Sequence, residues 1–284
     1  MTRLGPTSDE RARVFRALHR PGSPFILANA WDLGSAKVLA ALGAKALATS
    51  SSAHAFTLGR PDMRVTRDEA LAHAESIVAA TGLPVQGDFE NGFADAPEGV
   101  AETLGLAAEI GLAGICIEDV MPPDGAAYPF EEAVARIAAA ASAARSLPRD
   151  FVLTARADGV MTGAYDMDEG IRRLSAFEAA GADCLYLPLP PDMESLGTIC
   201  EAVTAPVNAL AAGPFTRSSL AEFAALGVAR VSLGSALARS THRVIVDAAR
   251  AMFEKGDFDL LGQSISGGEV DALLERGAAD GDSV

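Results

Sequence analysis

Cysteine is scarce in this chain. There are three, Cys116, Cys184 and Cys200, and no Cys-x-x-Cys pair. That spacing supplies neither a zinc site nor a disulfide framework, and Cys116 and Cys184 sit in apolar runs as small hydrophobes. Positive charge is scarce as well. Lys and Arg number 23 against 38 Asp and Glu, giving a formal net charge of −15. A surface that acidic repels nucleic acid and anionic membranes, so neither is expected as a partner. No apolar stretch reaches the ~18 residues of a membrane helix. The opening Met1-Thr-Arg-Leu-Gly-Pro has no apolar signal core, so a soluble, cytoplasmic protein is expected. Gly163 and Gly213 read as loop turns, and no phosphate-cradling glycine motif follows a strand.

What is present is a large apolar inventory. Hydrophobic residues make up 49% of the chain and charged residues 21%, enough for a sizeable core. The length of 284 residues is ordinary for one α/β barrel. Eight short apolar runs fall at 25–29, 46–49, 84–89, 114–118, 151–156, 184–188, 206–210 and 230–234. Longer amphipathic segments follow them, as at 67–80, 97–110, 130–145 and 166–180. Strand-then-helix alternation implies a parallel sheet, and eight repeats predict a closed (β/α)8 TIM barrel over an open doubly wound sheet. Gly43, Gly82, Gly111, Gly181 and Gly227 each follow an apolar helix end, where a positive φ is cheap only for glycine. No linker divides the chain, so a single domain over 1–284 is expected. Residues 256–276 form a helical extension whose Val270, Leu273 and Leu274 predict a contact across subunits of a homo-oligomer. A frayed tail is expected from 277 onward.

Charge marks the ends of three of these runs. Asp88 and Glu90 close the third, Glu118 the fourth and Arg156 the fifth. Asp88 and Glu90 alternate with Phe89, which predicts one shared face of a strand. A charge is costly to bury unless it is paired or binds a metal. Three carboxylates and one Arg at the C-terminal ends of barrel strands therefore read as a hard-cation site with an anion clamp. Arg156 could equally serve as a structural partner of Glu118. His54, two residues after Ser52, is an acid/base group or a bystander. Tyr128 is a lid-packing group or a proton donor. Trp31, at the end of the first strand, is pocket wall or core, and Asp119 is an ion-pair partner or a support behind the site.

The chain resembles the isocitrate lyase/phosphoenolpyruvate mutase superfamily. The resemblance is carried by Ser50-Ser-Ser-Ala, Gly59-Arg-Pro-Asp62, Asp88-Phe-Glu-Asn-Gly-Phe, Ile117-Glu-Asp119 and Ala155-Arg-Ala-Asp158, in that order on successive units. It implies a modified (β/α)8 barrel, Mg2+, and cleavage of a C–C or P–C bond beside a 2-oxo acid carboxylate. By the same resemblance Asp88 would contact Mg2+ directly, with Glu90 and Glu118 holding it through its waters. Ser50, Ser51 and Ser52 would take the substrate carboxylate, and Arg156 would pair with substrate oxygens. Asp62 would lie near the reacting centre and Asn208 would offer a polar group from the seventh strand. The family usually has Asp where this chain has Glu90. The family's lyases carry a Cys-containing segment after the fourth strand, whereas residues 118–130 here contain no Cys, Lys or His. The resemblance thus implies an Mg2+-dependent lyase or decarboxylase on an oxaloacetate-like 2-oxo acid, working as a homotetramer. The alternatives are P–C hydrolysis or mutase chemistry on phosphonopyruvate, and 2-oxo acid binding without turnover. Isocitrate and methylisocitrate are expected to be poor substrates.

Overall fold

Alternation of apolar runs and amphipathic segments closes into a barrel. The structure, a computed structural model, describes residues 6–279. The barrel strands are β1 (Phe25–Asn29), β2 (Ala46–Ala48), β3 (Val85–Asp88), β4 (Gly114–Glu118), β7 (Val152–Arg156), β8 (Cys184–Tyr186), β9 (Val207–Leu210) and β10 (Arg230–Ser232). All pair in parallel, in the order β1-β2-β3-β4-β7-β8-β9-β10, and β10 returns to β1. Eight sequence runs thus become eight strands. A small antiparallel hairpin, β5 (Val120–Met121) with β6 (Ala126–Ala127), rises from the loop after β4.

The helices are α1 (Ser8–Leu18), α2 (Leu33–Ala41), α3 (Ser51–Thr57), α4 (Arg67–Ala80), α5 (Pro97–Glu109), α6 (Phe130–Ser146), α7 (Gly159–Thr162), α8 (Met167–Ala180), α9 (Met193–Ala202), α10 (Leu220–Ala225), α11 (Ala236–Lys255) and α12 (Gly267–Arg276). Local chemistry sets their starts. Thr66 and Glu69 form a reciprocal capping box on α4, and Thr7 and Glu10 do the same on α1. Gly43, Gly111, Gly181 and Gly227 have positive φ as expected; Gly82 does not, because α4 ends instead on extended Thr81.

Two layers bury the apolar surface. Ile115, Ile117, Leu153, Leu185 and Val231 face outward from the strands toward the helices. At the N-terminal end of the barrel, α1 inserts Ala12 and Phe15 against Phe25, Ala113 and Val152. Gly114 is required here: a Cβ on it would come within 2.3 Å of the Val152 carbonyl oxygen. The barrel interior is polar. Arg230 donates to Asn208 Oδ1 at 2.9 Å, to Gln86 Oε1 at 2.6 Å and to His19 Nε2 at 3.1 Å. His19 gives its Nδ1 proton to the Phe15 carbonyl at 2.8 Å, which fixes its tautomer.

Helix α12 lies on α2 of its own chain, with Val270, Leu273 and Leu274 half-buried. Gly277 abuts the Lys37 backbone, and Ala279 N–H donates to the Ala80 carbonyl at 3.2 Å, so the first residues of the expected tail are docked. Residues 280–284 of that tail lie outside the described residues, as do the first five. The exposed apolar surface is instead on α11 and the segment after it, where Val244, Ile245, Phe253 and Phe258 face outward. Among the described residues no helix is long and apolar enough to cross a membrane.

Candidate active site

Strand alternation points Glu118, Arg156 and Tyr186 into the barrel mouth. Register puts Glu118 beside Arg156 on adjacent strands, and Arg156 beside Tyr186. Together with Asp62, Asp88, Glu90 and Asp158 they line a cavity of about 210 Å3. Five carboxylates therefore share the cavity with Arg156, and three of them lie within 4 Å of its guanidinium. Arg156 Nη1 reaches Glu118 at 2.8 Å, Nη2 reaches Asp158 at 2.7 Å, and Asp88 lies at 3.8 Å. Its Nε also donates to Asp158 at 2.8 Å, and its plane sits 5.1 Å from the Tyr186 ring. Both readings of Arg156 meet here, since it borders the cavity and is also the structural partner of Glu118.

Electrostatics follows from this crowding. Burial raises Glu90 to about 8, helped by Asp88 and Asp62. Burial also raises Glu118, with Arg156 opposing, and lifts Asp158 to about 6 against the same Arg. Asp62 is raised by burial and by Asp88. For Arg156, burial alone would depress the guanidinium, but Asp158 and Glu118 outweigh it and hold it above its ordinary value. Glu90 is not in β3. It occupies the turn after the strand with φ +47°, so its place at the cavity comes from a left-handed residue rather than from alternation.

Helix α3 explains the serine run. Ser50 caps it, its Oγ accepting from Ala53 N–H at 3.3 Å, so the serine run is a helix start. Ser51 gives both N–H and O–H to Asp88 Oδ2, at 3.0 and 3.1 Å. Asp88 is further tied by its own N–H to Thr49 Oγ1 at 2.8 Å. Ser50, Ser51 and Ser52 all border the cavity.

Other expected site residues lie elsewhere. Tyr128 is buried away from the cavity: its hydroxyl donates to Asp95 at 2.5 Å and accepts from Asn91 at 2.8 Å, while Arg136 stacks on its ring. Arg136 also grips the carbonyls of Glu118, Ala94 and Asp95, which pulls the phenol into the loop wall. Trp31 is half-buried beyond β1 and off the cavity, its carbonyl accepting from His73 Nε2 at 2.9 Å. Asn208 lines a smaller chamber of about 40 Å3 deeper in the barrel, together with Cys116 and Arg230. His54 faces a third, minute cavity behind Glu90, stacked on His73 at 3.8 Å. Asp119 is an ion-pair partner of Arg173 at 2.9 Å and accepts from Asp158 N–H at 2.8 Å.

Asp158, Tyr186 and Arg239 are among the cavity residues not singled out from sequence. Asp158 follows Arg156 by two, a signal that strand alternation could have supplied. Arg239 borders the mouth from the first turn of α11, exposed. Apolar groups complete the wall there, notably Met161, Leu189, Leu210 and Leu233.

The donor set fits a hard divalent cation. It is all oxygen and leaves Asp158 Oδ2 buried without a hydrogen-bond partner. Among the described residues no three His, Cys, Asp or Glu groups converge closely enough to form a complete ligand set.

Known proteins match this chain over most of its length. The family model for phosphoenolpyruvate phosphomutase matches residues 15–253. Uncharacterized protein Rv1998c of Mycobacterium tuberculosis is 34% identical over 262 residues, covering 92% of this chain and 95% of that protein. An oxaloacetate decarboxylase of Paraburkholderia xenovorans is 32% identical over 213 residues, covering 72% and 69%. A lyase/mutase-type protein from Burkholderia cenocepacia J2315 superposes with a TM-score of 0.89 at 45% identity, over 93% of this chain and 95% of that one.

Proposed function

Because the chain belongs to the isocitrate lyase/phosphoenolpyruvate mutase superfamily, we propose that it cleaves a C–C bond of a small 2-oxo acid one carbon removed from the oxo group, so that the electron pair left behind is held as an enolate. The reaction is decarboxylation of an oxaloacetate-like substrate, assisted by a divalent cation, with Mg2+ the natural candidate. The observation that carries this reading is the set of five carboxylates that border the barrel mouth together with Arg156, three of them within 4 Å of its guanidinium. Asp88, Glu90 and Glu118 would hold the cation. When bound, it would supply Lewis-acid polarisation of the 2-oxo group.

The remaining roles fall to the chain's own groups. Ser50 Oγ still has its own proton to give, and with Ser52 it offers hydroxyl groups to the substrate carboxylate. Arg156 is committed to Glu118 and Asp158, so it orients those acids and presents its remaining edge to substrate oxygens. Arg239 is a cation at the mouth in reach of a second, leaving carboxylate. The apolar wall of Leu189, Leu210 and Leu233 favours loss of the carboxylate as neutral CO2, its electron pair passing to the enolate.

The lid chemistry supports decarboxylation over cleavage of isocitrate or methylisocitrate. The hairpin brings no Cys, Lys or His, and its one phenol is turned into Asp95 and Asn91. Loss of CO2 needs no protein acid at the leaving group, and the product can take its proton from water. The test is turnover of oxaloacetate, methylisocitrate, isocitrate and phosphonopyruvate with Mg2+ or Mn2+ and with chelator. Chelator-sensitive pyruvate formation from oxaloacetate is expected. Efficient methylisocitrate cleavage would overturn the lid argument, phosphonopyruvate turnover would move the reaction to P–C chemistry, and silence on all four would leave a binding protein.

A further inference from the structure

Behind the main cavity lies a second one of about 10 Å3, bordered by His54, Phe93, Val65, Asp88 and Glu90. Its size decides what it can hold: one water needs roughly 10–15 Å3, and two do not fit. Two polar atoms on residues that border it are buried and have no hydrogen-bond partner, His54 Nε2 and Glu90 Oε1. Both residues are more than nine-tenths buried. An orphaned buried polar atom costs about 1–3 kcal/mol, and two such atoms on residues that border one water-sized void have one remedy in common.

The geometry points to a single buried water that bridges His54 Nε2 and Glu90 Oε1, making His54 a positioning residue for the cation-holding carboxylate. The imidazole is fixed for this task. Its face stacks on His73, with centroids 3.8 Å apart and planes 10° from parallel. His73 is in turn anchored by donating Nε2–H to the Trp31 carbonyl at 2.9 Å. At the other side of the His54 ring, Thr57 Oγ1 lies 3.5 Å from Nδ1 and spends its own proton on the His54 carbonyl at 2.7 Å. Nδ1 therefore faces an acceptor and carries the proton, which leaves Nε2 as the acceptor. A water between two acceptors donates to both, one O–H to Nε2 and one to the carboxylate. Glu90 borders both cavities, so a hold on its rear oxygen sets the direction of the carboxylate at the front. The same short helix would then orient both acids of the third unit: α3 holds Asp88 directly through Ser51 and Glu90 through the water.

This role rests on the divalent-cation reading, and the experiment separates the two. A high-resolution crystal structure of the wild-type protein should show a water within hydrogen-bonding distance of both atoms; a dry cavity overturns the bridge whatever the metal does. Mn2+ titrated alone by calorimetry supplies the second readout. His54→Phe keeps the ring and its stacking but removes Nε2, and should weaken Mn2+ binding about tenfold or more, as loss of a supporting hydrogen bond does at metal sites. His54→Gln, which can still bond the water, should stay within roughly threefold of wild type. The unfolding midpoint of metal-free His54→Phe reports any general damage. Equal Mn2+ affinity in wild type and His54→Phe overturns the positioning role. A wild type that binds no Mn2+ overturns the cation reading, and the water position then decides the bridge alone.

Discussion

Arg156→Lys keeps the positive charge and breaks the geometry. The guanidinium makes three close contacts to two carboxylates, at 2.8 Å to Glu118 and at 2.7 and 2.8 Å to Asp158. An ammonium is a single point of charge and cannot fork between both acids. One carboxylate stays paired and the other is left in a buried setting with its hydrogen bond gone. A charge-assisted hydrogen bond contributes ~1.5–3 kcal/mol, so a loss of ~2–3 kcal/mol is expected. At roughly 2–4 °C per kcal/mol for a chain of this size, the unfolding midpoint should fall by ~5–10 °C. The stranded acid also changes the cavity, and pyruvate affinity measured by calorimetry should drop about tenfold, or ~1.4 kcal/mol. Thermal unfolding of metal-free protein and a pyruvate titration with Mn2+ test both parts. A midpoint within about 1 °C of wild type, with unchanged pyruvate binding, would refute the view that the fork is essential.

Other expectations follow from the same contacts. Asp88→Ala should abolish Mg2+ binding and turnover with the fold intact, checked by calorimetry and circular dichroism. Tyr128→Phe should leave kcat within about twofold and cost ~1 kcal/mol of stability, because its hydroxyl serves Asp95 and Asn91; a large loss of kcat would return the phenol to the chemistry. Burial holds His73 at about 4, below its ordinary 6.5. The unfolded chain therefore takes up this proton first, and stability present above pH 6.5 should decline as pH falls toward 4, by at most ~3 kcal/mol from this group; a flat denaturation midpoint across that window would contradict it. Light scattering should find a homo-oligomer, a tetramer by family resemblance, and Phe253→Glu on the exposed face of α11 should shift it toward smaller species.

A strand such as β4 was legible because it is buried along its whole length and nearly continuous in apolar residues, as in Gly114-Ile-Cys-Ile. Asp88, Glu118 and Arg156 were legible as costly charges at the ends of such runs. Helix α3 was not, since seven residues are too few to show a helical period. Glu90 reached the cavity for a reason alternation does not contain, a left-handed turn. The orientation of Tyr128 depends on Asp95, Asn91 and Arg136, which arrive from two other segments, so no local pattern encodes it. Arg239 hid among the other basic residues of a long amphipathic helix.

The contact between His19 and Arg230 makes the barrel a stoppered shaft. Arg230 has Asn208, Gln86 and His19 around it, none of them anionic, and the chamber above it runs up to Asp88 and Arg156. The imidazole, wedged edge-on between the Phe15 and Phe25 rings, is the cork at the lower end. Pulling α1 away would leave the guanidinium wet from below, and water could leak upward through the 40 Å3 chamber to the floor of the reaction cavity. How dry the top of the barrel stays is thus decided partly at its bottom, by a helix that precedes the first strand.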